Sequence, residues 1–337
     1  MVLRLRGRGR VGRRQPSTVK PTSDVPEAGF TFSAHRVSFQ SMPSSTKFGT
    51  IALAGRPNAG KSTLLNALIG QPLAIVSPKP QSTRLPVTGL RTEGDTQIAF
   101  VDPPGLLEPG YALQQSMLDA ALDVLSSADA LLYLCPIADG VPPSLESLLQ
   151  GLDPLPRLPR RRITVFTQAD RVRQSTLRTF DDGSLIVSAV TGQGIKELLT
   201  WCRDAVPEGP FRYDPEEIST QPMRFFAAEY VREAAFELLR DELPYAVATE
   251  VDEFREAAAP VYIRINIYVE RRSQRAILIG KDGQTLRAIG VAARERIEGL
   301  LGQHVYLDLW VKVLANWRRN VHALGRFGYK LPEDQSP

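Results

Sequence analysis

Residues Gly55-Arg56-Pro57-Asn58-Ala59-Gly60-Lys61-Ser62 form a complete G-x-x-x-x-G-K-[ST] turn between the apolar run Gly49 to Ala54 and a helix-like stretch, Thr63 to Ile69. A strand that breaks into this turn and re-emerges as a helix leaves little choice of fold. The glycines let the backbone curl so that successive N–H groups point at a β-phosphate, and the helix opening at Ser62 adds its positive dipole end. Lys61 then neutralises the β and γ oxygens, while the Ser62 hydroxyl ligates Mg²⁺. A phosphate-binding α/β domain is expected.

Short apolar runs alternate with helix-length segments along this part of the chain: Thr50 to Ala54, Ile98 to Val101, Ala130 to Cys135, Ile163 to Phe166 and Leu185 to Val187. That rhythm predicts a mostly parallel sheet with helices on both faces. Gly89 to Glu93 and Gln97 to Val101 flank Gly94-Asp95, which predicts a hairpin with one antiparallel strand at the sheet edge. A helix from Gly194 to Ala205 closes the domain. Pro207, Gly209, Pro210 and Pro215 then read as a linker too proline-rich for helix or strand.

Beyond the linker the pattern changes to α+β. It runs as a helix from Arg224 to Leu239, a strand around Ala246 to Glu253, a strictly alternating strand from Val261 to Val269, helical residues from Gln284 to Leu301 and a strand from Val305 to Val313. The 337 residues suffice for two domains, each expected to carry its own core.

Net charge is only +4, yet Arg4, Arg6, Arg8, Arg10, Arg13, Arg14 and Lys20 all precede the first acid, Asp24. Such a block stays solvated, so residues 1–46 read as a disordered basic arm able to touch RNA or anionic surfaces. An organelle transit peptide is the alternative, with a matrix location, but Gly7, Gly9 and Gly12 work against an amphipathic helix. Cys135 and Cys202 stand far apart, which excludes a disulfide framework and a C-x-x-C metal site and fits a reducing compartment. No apolar run approaches the roughly 20 residues that span a bilayer.

A phosphate loop alone does not choose between ATP and GTP, so the discriminating residues lie further on. Asp102-Pro103-Pro104-Gly105 ends a strand, where Asp102 can hold Mg²⁺ through water and the Gly105 N–H can sense a γ-phosphate. Between the two motifs, the polar loop Pro78 to Arg84 offers Thr83 as a further Mg²⁺ hydroxyl. Thr167-Gln168-Ala169-Asp170 follows the strand Ile163 to Phe166, and Asp170 can accept from guanine N1–H and the exocyclic amine. Ser188-Ala189 can set a backbone N–H against guanine O6. With Gly55 to Thr63, these residues make the expected nucleotide site.

Taken in order, G-R-P-N-A-G-K-S, K-P-Q-S-T-R, D-P-P-G, S-A, G-K-D-G and L-W-V-K-V resemble the Era family of GTPases over about residues 47–330. The resemblance implies a Ras-like GTPase domain over 47–206, a linker over 207–222, a type II KH domain over 223–330 and a tail over 331–337. It implies a GTP/GDP switch with Mg²⁺, a monomer that binds the 3′ end of small-subunit ribosomal RNA in small-subunit assembly, and a cytoplasmic location with peripheral contact at the inner face of the cell membrane. Asn58 matches the loop asparagine associated with potassium as a charge-stabilising ion. Leu106 stands where Ras-type enzymes carry a water-orienting glutamine, so hydrolysis should be slow.

In the KH half, Gly280-Lys281-Asp282-Gly283 is a G-x-x-G that lets the backbone approach sugar-phosphate closely. Asp282 opposes the attraction of Lys281, while Arg272, Arg275, Arg287 and Lys312 can supply phosphate contacts. Trp310 is expected in the core, and Trp317 is equally placed for core or base stacking. Two departures from the family pattern stand out. T-Q-A-D replaces N-K-x-D, removing the loop-bracing Asn and the base-covering Lys, and D-P-P-G replaces D-T-P-G, removing the Pro103 N–H. Guanine preference should survive through Asp170 at a cost of about 1 to 3 kcal/mol in affinity. Two rival functions remain: an RNA-binding assembly factor with a vestigial nucleotide site, and a related Ras-like GTPase acting on transfer RNA.

Overall fold

The computed structural model of the chain describes residues 3–4, 45–140, 142–152, 155–173 and 185–330. Most of the expected arm over 1–46 and the whole expected tail over 331–337 lie outside these residues. The first sheet has eight strands: β1 (Leu3–Arg4), β2 (Lys47–Ala54), β3 (Val87–Glu93), β4 (Thr96–Asp102), β5 (Ala130–Pro136), β6 (Arg161–Thr167), β7 (Leu185–Ile186) and β8 (Glu217–Ser219). Their order is β1-β8-β3-β4-β2-β5-β6-β7, parallel from β4 through β7 and antiparallel from β4 outward through β3 and β8 to β1.

Among the described residues four helices cover this sheet: α1 (Lys61–Ile69), α2 (Ala112–Ser127), α3 (Leu145–Leu149) and α4 (Ile195–Ala205). Side chains alternate across a strand, and both faces are apolar here. Ile51 and Leu53 of β2, with Leu132 and Leu134 of β5, share a core with Leu64 and Leu68 of α1 and Leu198 and Cys202 of α4. Their neighbours Ala52, Ala54, Leu131, Tyr133 and Cys135 pack instead with Leu125 of α2 and Leu145 and Leu149 of α3. Continuous apolar runs therefore become buried parallel strands.

Two expectations need correcting. The β3–β4 hairpin forms around Gly94-Asp95, but β3 is not the edge, since β8 pairs with it at Gly89 and Ser219, and β1 pairs with β8. The proline-rich stretch is likewise no free linker. Its prolines do lie outside strands, yet the following residues Glu217–Ser219 join the sheet. Gln97 straps the same stretch down by accepting from the Arg212 and Tyr213 N–H groups and donating to Tyr213 O.

The second unit runs as α5 (Met223–Leu238), β9 (Ala248–Arg255), β10 (Val261–Val269), α6 (Arg272–Ile279), α7 (Gln284–Leu301), β11 (Val305–Val313) and α8 (Val321–Arg326). β10 lies between β11, parallel and in register from Val261↔Val305 to Val269↔Val313, and antiparallel β9. Ile263, Ile265, Ile267 and Val269 face the core with Ile289, Ala293 and Ile297 of α7. The strict period of two makes these boundaries match the sequence reading to the residue.

The two units do not keep separate cores. Ile69, Leu73 and Ala74 belong to the same buried cluster as Tyr230, Val231 and Ala234 of α5. α5 buries Arg232 and Glu233 along with its apolar residues, because it packs against β9 and α7 on one side and residues 72–82 on the other. The Tyr230 hydroxyl seals the joint by donating to Pro72 O at 2.6 Å.

Candidate functional site

β2 ends at Ala54, and the next six residues turn back before α1 begins at Lys61. Gly60 caps α1 in a left-handed conformation with φ 90° and no side-chain cap, so the first N–H groups of the helix face the turn unclaimed by any side chain. Gly105 meets the turn from the other side. A Cβ added there would stand 2.9 Å from the Pro57 nitrogen, so only glycine fits that approach. Between them opens a cleft of about 450 Å³ lined by Pro57, Asn58, Gly60 to Thr63, Ser82, Thr83 and Gly105. That volume suits a nucleotide.

At its floor Lys61 is buried and donates through Nζ to Gly55 O and Arg56 O at 3.2 and 3.1 Å. The Ser62 hydroxyl donates to Asp102 Oδ2 at 2.6 Å and lies 2.9 Å from Thr83 Oγ1, which is itself 3.3 Å from the same carboxylate oxygen. The three oxygen donors named for Mg²⁺ thus converge. Asp102 Oδ1, though buried, has no hydrogen-bond partner. An orphaned carboxylate oxygen beside two hydroxyls is the oxygen-only donor set that Mg²⁺ prefers. Burial pushes the Asp102 carboxyl up and the Lys61 ammonium down from their ordinary values, each partly opposed by the other's charge.

At the far end Asp170 is exposed, and its Oδ1 accepts from the buried Ser188 hydroxyl at 2.5 Å. Ser188's own N–H is committed to Gln193 O, so of the pair proposed to meet guanine O6 the available donor is that of Ala189. Thr167 and Gln168, which stand where N-K-x-D has its Asn and Lys, both reach the phosphate loop. Thr167 Oγ1 donates to Ala59 O at 2.7 Å and Gln168 Nε2 to Asn58 O at 3.0 Å, so two carbonyls of the phosphate loop are still braced. Ala169 is buried beneath them. Pro103 and Pro104 are also buried and carry no N–H toward the cleft.

The sequence reading missed Arg84. Its guanidinium is buried and donates to Val247 O at 2.6 Å, Tyr245 O at 3.0 Å and Pro244 O at 3.2 Å, all in the second unit. Lys79 reaches Phe236 O and Leu239 O from the same loop, and Arg232 of α5 donates back to Ser82 O at 2.6 Å. Residues 79–84 are therefore stitched to the second unit. Arg84 ends the K-P-Q-S-T-R motif, but only the fold reveals what it holds.

In the second unit Gly280 and Gly283 lie between α6 and α7. Gly280 adopts φ 74° and ψ 175°, and a Cβ there would fall 2.9 Å from Thr285 Cβ and 3.0 Å from its nitrogen. Lys281 and Asp282 are exposed at the tip. Beside them a groove of about 330 Å³ is lined by Gly283, Leu286, Arg287, Val291, Arg294, Leu307 and Leu309. Arg294, two turns along α7 from Arg287, is a cation the sequence reading did not single out. Arg272 opens α6 and is exposed, and Arg275 Nε donates to Val311 O at 3.1 Å.

Lys312 is not part of this groove. It alternates with Leu309 and Val311 on β11 and so faces the opposite side of the sheet, near Glu250. Trp310, expected in the core, is instead 53% exposed on that outer face, whereas Trp317, for which core and base stacking were equally open, is fully buried and donates to Ala246 O at 2.8 Å.

Comparison with known proteins agrees with this geometry. A family model described as a 50S ribosome-binding GTPase matches residues 50–167, and a KH domain model matches residues 242–318. GTPase Era of Carboxydothermus hydrogenoformans is 40% identical over 293 residues, covering 85% of this chain and 98% of that protein. GTPase Era of Thermotoga petrophila is 39% identical over 282 residues, covering 81% and 94%. Among solved structures, an Aquifex aeolicus Era variant bound to GDP·AlF4⁻ superposes with a TM-score of 0.78 at 36% identity, over 85% of this chain and all of that one. An Era in complex with MgGDPNP and nucleotides 1506–1542 of 16S ribosomal RNA matches equally well, with a TM-score of 0.78 and 36% identity over 85% of this chain.

Proposed function

Because the chain belongs to the Era family of GTPases, a Ras-like GTPase domain joined to a KH domain, we propose that it is a slow GTP hydrolase that grips the 3′ end of small-subunit ribosomal RNA during small-subunit assembly. One observation carries the switch. Thr83 and Arg84 are consecutive, and they answer to different masters: the Thr83 hydroxyl lies with Ser62 and Asp102, the Arg84 guanidinium in a cage of carbonyls next to β9.

In this reading the phosphate loop and Lys61 hold the β- and γ-phosphates, and Asp170 with Ala189 reads the guanine edge. Ser62, Thr83 and Asp102 would hold Mg²⁺, which when bound offsets the charge between β- and γ-phosphates. Leu106 packs against the buried cluster beneath α2 and offers no base, so water attack is oriented by backbone alone and hydrolysis is slow. Losing the γ-phosphate removes the reason for Thr83 to stay beside Ser62. Because residues 79–84 are bonded to the second unit, their movement alters how the G-x-x-G loop is presented. Gly280, Gly283, Lys281, Arg287 and Arg294 then bind sugar-phosphate, with bases against Leu286, Leu307 and Leu309.

Three finer points belong to the same reading on the strength of the family resemblance: potassium at Asn58 as a charge-stabilising ion, peripheral contact with the inner membrane face, and a monomeric state. Among the described residues no helix is long and apolar enough to cross a membrane. Equal single-turnover rates in sodium and potassium buffers would remove potassium from the account. The test of the whole is phosphate release with ribosomes and potassium present. Release above that of Lys61→Ala is expected, and release no faster than that variant would leave an RNA-binding factor with a vestigial site. Binding transfer RNA in preference to small-subunit 3′ ends would favour the transfer-RNA reading instead.

A further inference from the structure

Gln168 stands where the base-reading loop crosses the phosphate loop, and its side-chain amide is held at both ends. Nε2 donates to Asn58 O at 3.0 Å, while Oε1 accepts from an Arg171 Nη1–H at 3.1 Å. The residue takes a left-handed conformation, φ 60° and ψ 36°, at the start of the short turn Ala169–Arg171, which brings Arg171 back toward its side chain. Both side chains line the nucleotide cleft, and Arg171 is otherwise exposed. A glutamine amide can turn over and present either its oxygen or its nitrogen. Only an outside donor fixes which.

We propose that Arg171 is a specificity-determining cation of the nucleotide site: it locks the Gln168 amide with its nitrogen on Asn58 O and supplies the positive charge beside the purine that neither Gln168 nor Thr167 carries. The Gln168 stem, stretched between two fixed ends, then forms a rigid wall against one face of the base. Thr167 Oγ1 on Ala59 O holds the neighbouring carbonyl, so the floor under that wall is fixed too. Asp170, the acceptor for the base edge, lies between Gln168 and Arg171 in the same turn. Gln168 and Arg171 thus divide between them the stem and the charge that a single lysine would combine.

The inference takes the cleft as the guanine-nucleotide site proposed above, and the experiment separates the two. Labelled GDP, XDP and ADP are titrated into the full chain and into Arg171→Ala, Arg171→Lys, Gln168→Leu, the double variant Gln168→Leu/Arg171→Ala, and Gln168→Lys/Arg171→Ala. Arg171 is exposed, so thermal melting should be unchanged in its single variants, and melting curves check this directly. Arg171→Ala is expected to weaken GDP about tenfold, the loss of one hydrogen bond to a charged donor with the order it imposed. Gln168→Leu should add little to Arg171→Ala, because the two act as one unit. Arg171→Lys should recover part of the loss.

Gln168→Lys should recover most of the loss in the Arg171→Ala background, because a lysine there carries its own donors and charge. If Arg171→Ala binds GDP as well as the unchanged chain does, or Gln168→Lys fails to rescue it, Arg171 has no such role. Indifference of the unchanged chain among GDP, XDP and ADP would overturn the guanine site itself, and this inference with it.

Discussion

Arg84→Met removes a guanidinium from the joint between the two units while keeping most of the side-chain stem. Three donated hydrogen bonds disappear, to Val247 O, Tyr245 O and Pro244 O, and of the three carbonyls Pro244 O keeps the Val247 N–H as a donor at 3.4 Å. Hydrogen bonds to a charged group contribute about 1.5–3 kcal/mol each, so the gross loss is about 6 kcal/mol. Burial itself disfavours the charged guanidinium, pulling its pKa down from the ordinary value, and methionine escapes that penalty. The guanidinium carbon lies 6.0 Å from the Phe236 ring centroid and 5.8 Å from that of Trp317, and a methionine thioether can pack beside the same rings in its place. About half the gross loss should remain, roughly 3 kcal/mol.

Urea denaturation should therefore show a lowered midpoint, and hydrogen exchange should speed up locally at residues 79–84 and 244–247. Because Arg84 touches neither the phosphate loop nor Asp170 by any of these bonds, GDP affinity should change by less than about threefold. A loss under about 1 kcal/mol with unaltered local exchange would show that the guanidinium does not carry the joint.

Three further outcomes are expected. Gly280→Ala should weaken binding of a small-subunit 3′-end RNA about tenfold in filter assays and leave GDP affinity alone, because the added Cβ meets Thr285 at a φ that L residues rarely adopt. Trp317→Ala should cost about 3–5 kcal/mol of unfolding free energy by calorimetry, whereas Trp310→Ala should stay within about 0.5 kcal/mol. Burial pushes the Cys135 thiol up to about 11 and the Cys202 thiol up to about 12, so both remain protonated well above neutrality. Ellman's reagent near about pH 8 should then react with the folded protein only as fast as it unfolds, and rapid labelling would contradict that burial.

The parts of this molecule that rest on local rules were legible in the sequence. Val261–Val269 and Val305–Val313 follow from strict alternation, and the G-x-x-x-x-G-K-S turn announces both its backbone path and its ligand. Thr83 and Asp102 were found because motif order fixes them near the turn, and the structure brings their oxygens within 3.3 Å of each other. What was missed depends on partners distant in sequence. Arg84 looks like any loop cation until the carbonyls some 160 residues away close on it. Glu217–Ser219 become a strand because Gly89 offers an open edge, which no propensity reports.

Thr167 and Gln168 read as losses because they differ from the family's N and K, yet their side chains hold two carbonyls of the phosphate loop. Trp310 could have been placed outside by the period of β11 alone, which sets Val305, Leu307, Leu309 and Val311 inward. The burial of Trp317 could not, since Tyr329 and Ala246, which surround it, come from different parts of the chain.

The link between the two sites is open to one titration. A fluorescent oligonucleotide with the 3′-end sequence of small-subunit ribosomal RNA is bound to the full chain loaded with Mg²⁺ and either GDPNP or GDP. Affinity at least about fivefold tighter with GDPNP is expected, since the γ-phosphate holds Thr83 and through Arg84 the second unit. Equal affinity in the two nucleotide states would mean that the terminal phosphate never reaches the RNA site.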